Sequence, residues 1–399
     1  HQIKIMNKYI LQFIVLCLTT ISPLNSQTIV SEEIEEAVIK KFQKKLVEDG
    51  EAGSNVVFIH KNGKTIYHNI QNSNKKGDKL ITDQTLFPIW SMSKPITTVA
   101  VLILREKNLL QFDDPVSKFI PSYANLRCKS DYGVVDCNNE LKVIHLLTHR
   151  SGFVYYDDFM IDAIRADNLD ELMENIREQP LEFEPGENYR YGLNQDILGK
   201  VVEAASGMSF YSFLKKYVFD PLEMKNTKFF ISEEEKKLLQ PLFIKNESIE
   251  GFNQTGITGI NDLITYDVEY KIELGSLGLI STIADYSNFC SMLLNFGKFK
   301  NKTILSSSSI SELKKKYAEG PHAGDIDFPG VFNGLGVYVI EDPSKMNFKA
   351  PIGLYGHGGY QSTEFFIDTK NNMYGVFLNR SLTKYNHRYY FIKSVYDSF

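Results

Sequence analysis

Cysteine, tryptophan and surplus positive charge are all scarce in this sequence, and each shortage narrows what the chain can be. Its 44 lysines and arginines are outnumbered by 49 acids, so the formal net charge is −5 and there is no basic footprint for nucleic acid. No Gly-x-Ser-x-Gly elbow occurs, which argues against an α/β-hydrolase. His-Glu-x-x-His is missing too. His145 and His149 share a helical face at metal-ligand spacing, but no acidic third ligand lies nearby in sequence and they do not make a zinc site. No internal repeat or low-complexity linker divides the 399 residues, and the apolar run at 9–21 is too short to span a bilayer comfortably.

That run has another use. Lys4 and Lys8 precede it and Pro23-Leu24-Asn25-Ser26-Gln27 follows, so residues 1–27 read as a signal peptide with Met6 as its start. The mature protein is then expected to be secreted or periplasmic, without a membrane span and with a formal charge of 42 − 49 = −7. A lipid anchor at Cys17 is disfavoured, because Leu16 before it is bulky and the apolar run continues past it. Cys290 falls in an apolar helical pattern, while Cys128 and Cys137 bracket a polar loop. In an exported protein that pair can close a short ring contributing on the order of 2–3 kcal/mol; two free loop thiols are the alternative.

Hydrophobic residues make up 43% of the chain, ample for a core. A serine-capped helix is predicted over 31–50, with Ile34, Val38, Phe42 and Leu46 on one face. Segments 55–60 and 65–68, joined by Lys61-Asn62-Gly63-Lys64, predict a β-hairpin. An apolar helix starts at Ser91 and ends near Lys107-Asn108. Helices and loops then predominate to about Leu274, with helices over 143–147, 169–178 and 195–205. A helix over 283–295 leads into strands at 336–340, 354–357, 363–368 and 373–378, and a helix over 389–396 closes the chain. Hairpins at both ends predict an α/β (α+β) fold. Residues 28–110 and 275–399 would build one antiparallel sheet, with a mostly helical domain, 111–274, inserted.

Ser-x-x-Lys occurs at Ser73/Lys76, Ser91/Lys94, Ser212/Lys215, Ser311/Lys314 and Ser381/Lys384, so spacing alone selects nothing. Context does. Ser91 follows the apolar stretch 86–90, precedes an apolar helix and stands beside the only tryptophan, Trp90; the other four lysines lie in polar, lysine-rich or tail segments. One helical turn puts Ser91 and Lys94 on the same face, where a desolvated amine can take the hydroxyl proton. A serine cap ahead of an ordinary lysine is the plainer alternative. Such chemistry needs a second proton carrier and an oxyanion site. Tyr191 follows the Glu184-Pro185-Gly186 turn and leads into a helix. A literal Tyr-x-Asn selects Tyr123 and Tyr286 instead, but Tyr286 sits in an amphipathic helix with Phe289, Leu293 and Phe296, where packing is its role. His357-Gly358-Gly359-Tyr360 ends a strand, where glycines admit substrate and the Tyr360 amide can join that of Ser91.

In this order, Ser91-Met92-Ser93-Lys94, Tyr191 after a Pro-Gly turn and His357-Gly358-Gly359 resemble the three motifs of the serine β-lactamase and penicillin-binding-protein superfamily. The nearest likeness is to its class C-like branch, with family VIII carboxylesterases, D-aminopeptidases and DD-peptidases. Leu110-Gln111-Phe112-Asp113-Asp114-Pro115-Val116, Leu146-Leu147-Thr148-His149-Arg150-Ser151-Gly152, Pro221-Leu222-Glu223-Met224 and Gly278-Leu279-Ile280-Ser281-Thr282 are similar to that branch's recurring segments. The resemblance covers about residues 30–398. It implies that Ser91 forms an acyl-enzyme, that Lys94 and Tyr191 share the acid and base roles, that His357, Gly358 and Gly359 border the substrate, and that the Ser91 and Tyr360 amides hold the oxyanion. It also implies a site between the sheet and helical domains, worked without metal or cofactor.

Two departures bear on substrate. Leu193 stands where lactamases usually carry the asparagine of Tyr-x-Asn, with Asn194 one place out of register, and His357 stands where they usually carry lysine. Both missing groups help hold a lactam, so ester hydrolysis is expected before β-lactam or D-amino-acid peptide hydrolysis. A penicillin-binding or cell-wall-binding module without turnover is the remaining reading. The expected partner is a small-molecule ester or amide, or a peptidoglycan-type D-peptide, selected by loops at 155–160 and 252–263.

Overall fold

The computed structural model describes residues 34–247, 250–253, 272–319 and 330–399. The expected signal peptide and most of the 252–263 loop lie outside the described residues. The elements that matter here are α1 (Glu36–Glu48), β1 (Asn55–Lys61), β2 (Lys64–Gln71), α2 (Ser93–Glu106), α3 (Val143–Leu147), α4 (Phe159–Arg165), α5 (Leu169–Arg177), α6 (Asn194–Ser206), α7 (Phe210–Leu214), α8 (Ile283–Leu294), β3 (Ala318–Glu319), β4 (Val331–Asn333), β5 (Tyr338–Ile340), β6 (Tyr355–Gly359), β7 (Thr363–Asp368), β8 (Met373–Leu378) and α9 (His387–Tyr396).

Eight strands form one sheet in the order β3-β4-β5-β6-β7-β8-β1-β2, antiparallel throughout. The hairpin from the start of the chain therefore pairs with a strand from its end, Val56 opposite Leu378. Asn62 and Gly63 both take positive φ, 52° and 76°, the conformation that suits an Asn-Gly hairpin turn.

Both sheet faces are covered, and strand alternation divides the core in two. Val57, Ile59, Phe366 and Phe377 face a layer made by α1 and α9, with Ile39, Leu46, Phe391 and Val395. Val56, Phe365, Ile367, Val376 and Leu378 face the other way, toward α8 and the helical region. Strands buried on both faces read as near-continuous apolar runs, which is why Thr363–Asp368 and Met373–Leu378 were predicted with the observed bounds. α2 packs on α6 and is buried at every position from Ser93 to Leu104, as befits a helix that is apolar nearly all round. Among the described residues no helix is long and apolar enough to cross a membrane.

The structure departs from the expectations in two informative places. Ser91 lies not in the helix but in a 3-10 turn, Trp90–Met92, immediately ahead of α2. The supposed polar loop between Cys128 and Cys137 contains a hairpin, Arg127–Ser130 with Gly133–Asp136, while the two cysteines are joined as the expected disulfide. Gly133–Asp136 is exposed along its whole length, so no buried/exposed alternation marks it in the sequence.

His387 ties α9 to the rest of the fold. Its Nε2–H donates to the Glu51 carbonyl at 2.7 Å, which leaves Nδ1, 3.0 Å from the Ser362 hydroxyl, as an acceptor. Burial pushes its pKa down to about 4 from 6.5. The unfolded chain therefore binds the proton first, and stability is lost as pH falls from 6.5 toward 4, by roughly 3 kcal/mol for this group. In urea denaturation, His387→Gln is expected to lower stability at neutral pH and to flatten the loss across that window. An equally steep loss in the variant would show that other groups carry it.

Candidate active site

Several long-range contacts fix the turn that holds Ser91. Phe87–Pro88 pairs with Ile280–Ser281, and the Ile89 N–H donates to Leu279 O at 3.0 Å. The Tyr286 hydroxyl, from α8, donates to Met92 O at 2.9 Å, so the packing role expected for Tyr286 extends to anchoring this turn. Trp90 takes a left-handed φ of 48°, rare for a bulky residue and tolerated only where surroundings over-determine the backbone. The result is a half-buried Ser91 between buried Trp90 and Met92.

Lys94 is fully buried. Its Nζ lies 3.2 Å from Ser91 Oγ, 3.1 Å from the Tyr155 hydroxyl and 2.9 Å from Ser276 O. Of these only the Ser276 carbonyl is obliged to accept; both hydroxyls can also donate. A neutral amine can thus give protons to Ser276 O and Tyr155 and keep its lone pair for the Ser91 hydrogen. Burial holds the Tyr155 pKa well above the usual phenol range, against the opposing influence of Ser276, so this hydroxyl keeps its proton at neutral pH.

Tyr191 presents its ring rather than its edge to the lysine, with Nζ 4.7 Å from the ring centroid. The buried His149 sets that pose. Its ring lies 4.7 Å from that of Tyr191, its carbonyl accepts the Arg190 N–H at 2.9 Å, and its Nδ1 faces the Gly192 N–H (3.3 Å) and the Asn194 amide (2.8 Å). Asn194 is therefore turned into the core and away from the cleft. His145 is engaged elsewhere, its Nδ1 accepting the Lys142 N–H at 3.3 Å. Among the described residues the one group with metal-like geometry is Cys128, Cys137 and Glu184, whose cysteines are consumed by the disulfide.

β6 brings the third motif alongside. Gly358, Gly359 and Tyr360 line a cavity of about 650 Å³ shared with Ser91, Tyr155 and Tyr191. His357 is set back from it, almost wholly buried, with its ring 6.3 Å from that of Tyr191. Gly359 is required by a close approach: a Cβ there would lie 2.4 Å from Ile89 O and 2.2 Å from Thr363 Oγ1. Tyr360 meets Trp90 edge to face at 5.3 Å. The outer wall comes from the start of α9 and the segment before it, with Leu382, Lys384, Tyr385 and Arg388.

Sequence reasoning missed Tyr155 as a partner of Lys94. Its one signal is position, four residues beyond Ser151 in the recurring Leu146–Gly152 stretch. It also missed Asp196, fully buried at the start of α6, whose Oδ1 accepts the Ser276 N–H at 2.8 Å.

A half-exposed serine thus lies beside a buried lysine, with phenols over the lysine and a glycine strand at the serine's back. The chain belongs to the β-lactamase family, whose model matches residues 38–394. It is 31% identical over 195 residues to esterase EstB of Burkholderia gladioli, covering 45% of this chain and 48% of EstB, about half of that protein's length. Among solved structures it resembles EstCE1, described as a hydrolase with promiscuous acyltransferase activity, at TM-score 0.78 and 21% identity over 91% of this chain and 97% of that one. It also resembles an octameric penicillin-binding protein homologue from Pyrococcus abyssi, at TM-score 0.67 and 22% identity over 87% and 74%.

Gly359→Ala is expected to push β6 off the Ser91 turn. A displacement of about 1 Å near reacting groups costs on the order of 10²-fold. Fluorophosphonate modification of Ser91 should slow by about that factor while the protein still melts cooperatively; unchanged kinetics would mean that the strand adjusts.

Proposed function

We propose that the protein is an exported serine hydrolase that cleaves small-molecule esters through an acyl-enzyme on Ser91. The observation that carries this reading is the 3.2 Å contact between Lys94 Nζ and Ser91 Oγ, made by a lysine with no exposure to water. Lys94 takes the hydroxyl proton as Oγ attacks the acyl carbonyl. The Ser91 and Tyr360 amides hold the oxyanion. Tyr155 and Tyr191 then return the proton to the leaving alcohol, and water releases the acyl group by the reverse sequence.

The ester preference rests on what surrounds that chemistry. Asn194 is turned away and His357 set back, so neither offers the amide or the charge that a lactam site uses. The cavity wall is instead rich in rings, with Trp90, Tyr155, Tyr156, Phe159, Tyr360 and Tyr385. A volume of about 650 Å³ suits a compact ester with a flat apolar group. One observation favours the rival reading of a D-amino-acid peptidase or β-lactamase: Lys384 and Arg388 at the outer wall could receive a substrate carboxylate. A binding module without turnover would need none of the Lys94 contacts.

Aryl and alkyl esters, nitrocefin and D-alanyl peptides assayed side by side decide among these. Aryl esters should give the highest kcat/KM, and nitrocefin or a D-peptide surpassing every ester would sink the preference. Ser91→Ala should abolish fluorophosphonate labelling of the folded protein. Tyr155→Phe should lower kcat by about 10²-fold with KM little changed, the range of one proton-handling group. Export is checked by N-terminal sequencing of the secreted or periplasmic protein, expected to begin near Thr28; an intact leader in the cytoplasm would refute it.

A further inference from the structure

The proposed chemistry uses Lys94 and leaves unexplained a buried acid behind it. Asp196 is the third residue of α6 and has no solvent exposure. One carboxylate oxygen accepts the Ser276 N–H; the other is buried and makes no well-formed hydrogen bond among the described residues. Poorly satisfied buried carboxylates are costly, and burial pushes this one's pKa up to about 6, with the Ser276 hydroxyl and N–H, and then Lys94, pulling the other way. An acid in the first turn of a helix is ordinary, and a tether for residue 276 would be explained by an asparagine as well.

The peptide between acid and lysine is rigidly held. Ser276 gives its N–H to Asp196 and its carbonyl to Lys94 Nζ, at 2.8 and 2.9 Å. Thr97 of α2 donates to Gly275 O at 2.7 Å, and a Cβ on Gly275 would lie 2.3 Å from Gln195 O of α6. The segment is thus clamped between the helices that carry the two charges. The other titratable groups around the pair are Tyr155 ahead of α4, Tyr191 ahead of α6, His149 behind the Tyr191 ring and His357 on β6. Of these Tyr155 also feels the Asp196 charge.

We propose that Asp196 is the positioning residue for Lys94: through the clamped Gly275–Ser276 segment it fixes the lysine nitrogen, and its charge stabilises the ammonium formed when Lys94 accepts the Ser91 proton. The inference rests on the hydrolase reading above. In the step concerned, the proton moves from Ser91 Oγ to Lys94 Nζ as the Oγ–carbon bond forms, and the carbonyl π pair moves to the oxyanion. Asp196 exchanges no proton. It retains a charge whose burial costs stability because the neighbouring charge appears only during turnover.

The test is the rate of Ser91 modification by a fluorophosphonate from about pH 5 to about pH 9, on the full chain and on Asp196→Asn. Without the countercharge the ammonium is less favoured, so the acid limb should move to lower pH by about one unit and the plateau rate should fall about 10-fold or more. The variant should melt no lower than the wild type at alkaline pH. Asp196→Ser, which also offers Ser276 an acceptor without charge, should show the same displacement and serves if the asparagine variant does not fold. A merely structural role lowers the rate equally at every pH. Wild type labelled at Ser91, with the acid limb unmoved in both variants, overturns the inference alone. Absence of Ser91 labelling in the wild type overturns it together with the hydrolase reading.

Discussion

A lysine nitrogen cut off from water must find its hydrogen-bond partners within the protein, and much of this structure is arranged around that requirement. Lys94 sits at the start of a helix with no solvent-facing side until beyond Leu104. Its partners come from three separate segments: Ser91 from the preceding turn, Tyr155 from the loop ahead of α4, and Ser276 from the return to the sheet. These contacts therefore also tie the helical region to the sheet. A surface lysine could be lost with little consequence, whereas losing one partner here strands a buried polar group.

The sheet supplies the other half of the constraint. Gly359 at the end of β6 approaches the backbone of Ile89, and Tyr286 of α8 reaches Met92. Residues 92, 286 and 359 are far apart in the chain, so the Ser91 turn is held in place by long-range packing rather than by helix propensity.

This also explains what could be read from the sequence. The central strands and α2 were legible because full burial leaves apolar runs that need no partner to identify them, and the Asn62-Gly63 turn because its chemistry is local. Ser91, Lys94, Tyr191 and the glycines at 358 and 359 were legible as ordered motifs. Tyr155 and Asp196 were not: one is a tyrosine in an irregular loop, the other an acid in the first turn of a helix, and both patterns are commonplace. Their significance arises from Ser276 and Lys94, about 80 and 61 residues from their respective partners. In the sequence His149 stands out only as half of a false metal pair, and its contacts with Gly192 and Asn194 reveal it as the support for Tyr191.

Where the chain breaks local rules, it does so mostly around the cleft. Non-glycine residues with positive φ include several asparagines, which tolerate it, but also Trp90, His149, Gln361 and Ser362. Trp90, Gln361 and Ser362 line the cavity, and His149 backs its tyrosine. Glu223, Phe296 and Lys300 adopt the same conformation elsewhere, so strain alone does not mark a site. Combined with burial it does: Trp90, His149 and Gln361 are almost wholly buried, and Asp196 keeps a carboxylate oxygen without a well-formed hydrogen bond in the same region. Unfavourable conformations and a poorly solvated charge, gathered within one rigid frame, are what a fold retains when geometry at the reacting atoms matters more than the last increment of stability.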